Sequence, residues 1–233
     1  MALAAKRQED NWKKWEQPCL DALQAAWAAQ DAAKGKKDSA HDIAHIRRVQ
    51  AAAVEIAAQE GGNLDIIMPA VWLHDLINVP KDHPDRSRAS RFSADAAVEI
   101  LRGIGYPEQD LDAVAHAIVA HSFSANIAPQ TLEAKILQDS DRLDALGAIG
   151  VARCFATSGA MGRPLLDADD PLCSLRPADD ELYAVDHFYV KLLRLPDTMQ
   201  TQTGRDIAHS RATFMREFLN QLCFEQTGVK GVC

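Results

Sequence analysis

An all-α protein is predicted by three features of these 233 residues. Alanine, leucine and charged side chains fill almost every segment, apolar residues recur at three- and four-residue intervals, and period-two runs of valine, threonine and aromatics are nearly absent. The length suits one large domain or a small one with an appendage. A hydrophobic fraction of 47% beside 25% charged residues excludes a wholly disordered or collagen-like chain.

Residues 11–33 set Trp12, Trp15, Cys19, Leu23 and Trp27 along one stripe of a first helix, with the tryptophans as packing residues. Ser39 is expected to cap a second helix that reaches Glu60 and stops at Gly61 and Gly62, with Ile46, Val49, Ala53 and Ile56 facing the core. A third includes residues 70–76, with Pro69 near its first turn and its end near Asn78, because Pro80 biases Val79 away from helical geometry. Residues 93–101 form a fourth, stopped by Gly103 and Gly105, and Pro107 opens a fifth that reaches His121. One long helix is expected over 131–156, where Gly147 and Gly150 permit a kink or a close approach. The Gly-, Pro- and Asp-rich stretch 158–181 reads as a lid or a surface insertion, its aspartates facing outward or pairing with Arg163 and Arg176. Helices over 183–195 and 204–224 complete the chain. The organisation is thus an N-terminal helix in 1–38, a core in 39–157, an insertion in 158–182, C-terminal helices in 183–225 and a tail in 226–233.

Several function classes are disfavoured. A formal charge of −8 is a poor field for wrapping a long nucleic acid, and the clusters Lys34, Lys36, Lys37 and Arg86, Arg88, Arg91 read as solvated loops or helix faces, with contact to phosphate as the alternative. The apolar run 66–73 is far short of the roughly 20 residues a bilayer crossing needs, so no membrane partner is expected. Residues 1–10 lead into no apolar signal core, and five scattered cysteines favour reduced thiols, which together suggest a cytoplasmic protein.

The chemistry is concentrated in four phrases: HDIAHIRRV (41–49), WLHDL (72–76), HAIVAHSFS (116–124) and DSDRLDALGAIG (139–150). His41, His45 and Arg48 share one edge of the second helix. His74 and Asp75 close an apolar run, where buried polar groups need a compensating ion or hydrogen-bond network. Asp141 comes from another apolar helix; Asp144 can approach the same cavity, whereas Asp139 points elsewhere on a regular helix. Imidazoles and carboxylates together suit a divalent ion such as Mn, Fe, Ni, Co or Zn.

The order His45, His74-Asp75, Asp141 resembles that of the HD-domain metal-dependent phosphohydrolase superfamily. More narrowly, HDIAHIRRV, HAIVAHSFS, EAKILQDSDRLDALGAIG and YAVDHFYVKLLRLPDTMQT are similar to the bacterial YedJ-type subfamily of predicted HD hydrolases, over residues 15–225. The resemblance implies an HD helical bundle with a C-terminal helical extension, in which His45, His74, Asp75 and Asp141 bind a divalent metal. Mn is favoured, with Ni, Co, Fe, Zn or Mg as alternatives. It also implies that Arg48 touches a phosphoryl oxygen. A bacillar relative in the broad group is known as a nucleotide pyrophosphohydrolase, which points to phosphate or pyrophosphate release from a small phosphorylated molecule, a nucleotide.

Departures from the family pattern narrow this. Members that make or degrade guanosine tetraphosphate often continue the doublet with acidic residues, whereas Leu76, Ile77 and Asn78 follow it here. Two-metal HD enzymes commonly space their extra histidines more widely than His116 and His121, so one of these two is expected to line the site while the other supports Ser122 or the next helix. His41, His116, His121, Asp144, Lys191, Arg205 and Arg211 are the remaining candidates for substrate or supporting contacts. The competing readings are an HD-type diiron oxygenase and a non-catalytic metal- or nucleotide-binding sensor.

Overall fold

A computed structural model describes residues 11–34, 42–79 and 83–228, and every regular element among them is helical. A 3₁₀ turn (Asn11–Trp15) leads into α1 (Glu16–Lys34), followed by α2 (Ile43–Glu60) and α3 (Leu64–Leu73). A 3₁₀ turn (Pro84–Arg88) precedes α4 (Ala89–Gly103), and another (Glu108–Asp110) precedes α5 (Leu111–His121). Then come α6 (Leu132–Leu143), α7 (Gly147–Ala160), α8 (Asp186–Val190), a 3₁₀ segment (Leu192–Thr198) and α9 (Gln202–Thr227). No helix among the described residues is long and apolar enough to cross a membrane. The chain divides into two compact units between Asp141 and Arg142.

In the first unit α3 is the hub, buried continuously from Ile67 to His74 and packed by α1, α2 and α5, while α4 and α5 pair with each other. Ile46, Val49, Ala53 and Ile56 of α2 are wholly inaccessible, as their spacing predicts. Trp12 packs on Trp72 with ring centroids 5.9 Å apart. The cap of α2 is Asp42, whose side chain accepts the His45 N–H at 2.7 Å. It replaces the expected Ser39, which lies outside the described residues.

The third helix differs from expectation at both ends. It begins at Leu64 with Asn63 as its cap, so Pro69 sits in the interior. A proline there cannot donate to the carbonyl four residues back, and the Tyr106 hydroxyl donates to that Asp65 carbonyl instead, at 2.6 Å. The helix stops at Leu73 because α1 and α4 take the backbone groups that would continue it. Trp27 Nε1 donates to Asp75 O and Gln30 Nε2 to Leu76 O, each at 2.9 Å. The Asn78 N–H donates to Gln30 Oε1 at 2.9 Å, and the Ile77 N–H to Ser93 Oγ at 3.1 Å.

The single helix expected over 131–156 is two helices, α6 and α7. Gly147 opens α7 at φ +69°, in the left-handed region that favours glycine. Gly150 passes so close to the preceding turn that a Cβ would lie 2.2 Å from Ala145 O. α9 packs on α7 and on Leu192–Thr198, and Phe155 sits 5.8 Å from both Phe188 and Phe218. The helix expected over 183–195 is the short α8 and the 3₁₀ segment that follows.

Residues 161–185 contain no regular element, yet they fold on themselves around Arg176. Its guanidinium pairs with buried Asp186 through Nη1 and Nη2, the latter at 3.0 Å, lies 3.4 Å from Asp167, and stacks over Tyr183 at 4.9 Å. Backbone bonds from Ala184 to Pro164 and from Val185 to Leu165 close the segment. The thiols of Cys19, Cys154 and Cys173 are free.

Candidate metal centre

Four helices of the first unit deliver five polar side chains to one place. The Asp42 cap sets the first turn of α2, and with it His45. The tertiary hydrogen bonds that end α3 hold His74 and Asp75; His121 is the last residue of α5, and Asp141 lies in the last turn of α6. His45 Nε2 is 3.4 Å from His74 Nε2, 3.6 Å from Asp75 Oδ2 and 3.5 Å from Asp141 Oδ1. His74 Nε2 is 3.4 Å from Asp75 Oδ2 and 3.7 Å from Asp141 Oδ1. His121 Nε2 faces the other oxygen of Asp75 at 3.8 Å. Two overlapping donor groups result, His45 with His74 and Asp141, and His74 with Asp75 and His121, each within a 4.8 Å span.

The tautomers are set from behind. His74 Nδ1 donates to Val71 O at 2.8 Å, and His121 Nδ1 donates to Ile118 O at 2.6 Å. A carbonyl only accepts, so the proton sits on Nδ1 and Nε2 turns its lone pair to the cluster. Burial disfavours charge on His74, but the Asp75 and Asp141 carboxylates outweigh it and raise its pKa well above the usual histidine value. For His121 burial wins, helped by repulsion from His74, and its pKa falls. Burial would raise the Asp141 pKa, yet His74, His121 and His45 together hold it well below the carboxylate range. Imidazole lone pairs and carboxylate oxygens converging in this way are the donor chemistry of a divalent ion.

A family model for the HD domain matches residues 42–146, which contain all five of these side chains. The chain is 38% identical over 190 residues to an uncharacterized Bacillus subtilis protein, YpgQ, covering 80% of this chain and 84% of that one. Among solved structures, a Bacillus thuringiensis HD-superfamily hydrolase is 32% identical, with a TM-score of 0.65 over 91% of this chain and 100% of that one. The chain belongs to the HD-domain superfamily. The structure of YpgQ in complex with ADP is 32% identical to this HD protein, with a TM-score of 0.64 over 93% of this chain and 97% of that one.

The other candidates are placed differently within the HD protein. His116 is turned away from the cluster and its Nε2 accepts the Gln130 N–H at 3.0 Å, anchoring the connection to α6. Of the two histidines, between which the sequence left the choice open, His121 stands at the cluster. Arg48 is half-buried, three residues after His45 on α2. Asp144, expected near the cavity, accepts from Arg153 at 2.7 Å. Lys191 is exposed. Arg205 donates to Met199 O at 2.9 Å and Arg211 to Leu143 O at 2.7 Å, so both guanidinium groups serve backbone carbonyls of their own unit. His41 lies outside the described residues.

The fold brings further side chains to the site, which the sequence did not connect with the metal ligands. A small cleft of about 30 Å³ is lined by His74, Asp75 and His121 together with Asn78, Arg86 and Ser122. Arg86 belongs to the basic cluster read as a solvated face with phosphate contact as the alternative; it reaches the cleft from the 3₁₀ turn Pro84–Arg88, so no helical periodicity links it to the histidines.

Proposed function

We propose that this HD protein is a divalent-metal-dependent phosphohydrolase acting on a small phosphorylated compound, a nucleotide, and that it is a YedJ-type member of the superfamily. The observation that carries the reading is the cluster of imidazole Nε2 atoms and carboxylates, with two Nδ1 protons committed to carbonyls. ADP in the YpgQ complex supports the nucleotide. His45, His74, Asp75 and Asp141 would hold the ion, with Mn favoured. The chemistry such an ion supplies is a lowered pKa of bound water and neutralisation of charge on a phosphoryl oxygen. His121 packs edge-on against His74 and lies beside Asp75 Oδ1, while Oδ2 of that carboxylate lies nearer His45 and His74. Arg48, one turn beyond His45, would meet a phosphoryl oxygen.

Metal-stripped protein reloaded with Mn²⁺, Co²⁺, Ni²⁺ or Mg²⁺ and offered phosphatase, phosphodiesterase and nucleotide pyrophosphohydrolase substrates tests this. The expected result is hydrolysis that a chelator abolishes and a divalent ion restores. Absence of hydrolysis with every ion and substrate overturns the reading, and oxygen consumption with iron alone would replace it with the diiron oxygenase.

A further inference from the structure

Resting on the phosphohydrolase reading, we propose that Arg86 binds the phosphate group adjoining the reacting one, making a substrate with at least two linked phosphates the preferred class. Arg86 lines the same cleft as His74, Asp75 and His121. One of its Nη atoms donates to Val79 O at 2.6 Å, which fixes the guanidinium against the loop that follows the His-Asp doublet. That bond uses one of five N–H donors. No carboxylate among the described residues is paired with Arg86, whereas Arg88, two residues on, pairs with Asp85 at 3.2 Å and stacks over Phe92. Asn78 and Ser122 add neutral donors to the lining. A half-buried permanent cation held rigidly in a cleft with further donors is suited to a phosphate oxygen, which a guanidinium binds through paired N–H groups.

The test separates charge from loop support. Arg86→Gln keeps an N–H donor for Val79 O but removes the cation; Arg86→Lys keeps the cation. Calorimetry on the Mn²⁺-loaded protein, with inorganic pyrophosphate and inorganic phosphate as probes, should show Arg86→Gln weakening pyrophosphate about ten- to a hundredfold and phosphate less. KM for a nucleoside diphosphate should rise more than kcat falls. Mn²⁺ affinity should be unchanged, Arg86→Lys should recover most of the loss, and Arg88→Gln should behave as the wild type. Equal pyrophosphate affinity and KM in Arg86→Gln and wild type overturns the assignment to Arg86 alone. So does equal loss in Gln and Lys variants with a lowered Tm, which makes the residue a loop support. A wild type that neither binds these anions nor hydrolyses any phosphorylated compound overturns the phosphohydrolase reading as well.

Discussion

The cluster around His74 and the knot around Arg176 are both partly buried assemblies of carboxylates, and they hold their charge by different means. In the knot a permanent guanidinium meets Asp186 and Asp167, so the cation that holds these carboxylates is present at every ordinary pH. In the cluster Asp75 and Asp141 face His45, His74 and His121, rings that are cations only when protonated. The first arrangement is complete and holds a loop in shape. The second is completed either by a proton or by a metal ion, and that exchangeability makes it a site.

Removing one carboxylate from each assembly gives the sharpest contrast. Asp75→Ala or Asp141→Ala should lower divalent-metal affinity by more than the about 10- to 100-fold typical of an outer partner and abolish hydrolysis. The helical circular dichroism should survive, because the unit's core is separate from these side chains. Wild-type metal content in either variant removes that residue from the site. Arg176→Ala should instead leave metal affinity untouched and lower the unfolding free energy by about 3 kcal/mol, since it strands the buried Asp186 carboxylate. Denaturant titration beside metal analysis reads both.

The knot also predicts a pH dependence. Burial would raise the Asp186 pKa, but Arg176 and the Asp179 N–H outweigh it and hold the carboxyl below its usual range. A folded pKa below the unfolded value of about 3.9 gives stability that is full above that value and lost as pH falls through the folded pKa. The loss should flatten in Arg176→Ala when unfolding is followed between neutral and strongly acid pH. The smallest effect is expected at the two histidines of α5. His116→Ala should cost about 1 kcal/mol of stability through the freed Gln130 N–H and leave metal binding alone, whereas His121→Ala should disturb metal binding. Equal metal loss in both variants would erase the distinction between them.

Helix type was legible throughout, because a 3.6-residue apolar period depends only on which side chains avoid water, and the α2 core set followed from it residue for residue. The convergence of His45, His74, Asp75 and Asp141 was legible as well, since polar residues at the edges of apolar runs need one another once buried. The sequence by itself therefore determined the helical class and the chemical composition of the cluster. Only the tertiary structure decided where α3 ends, because Trp27, Gln30 and Ser93 compete for the backbone groups that a longer helix would use. It also selected His121 over His116 and brought Arg86 into the cleft while Arg205 and Arg211 went to carbonyls. A guanidinium or an imidazole accepts many partners, and the partner it meets is set by neighbours distant in the chain.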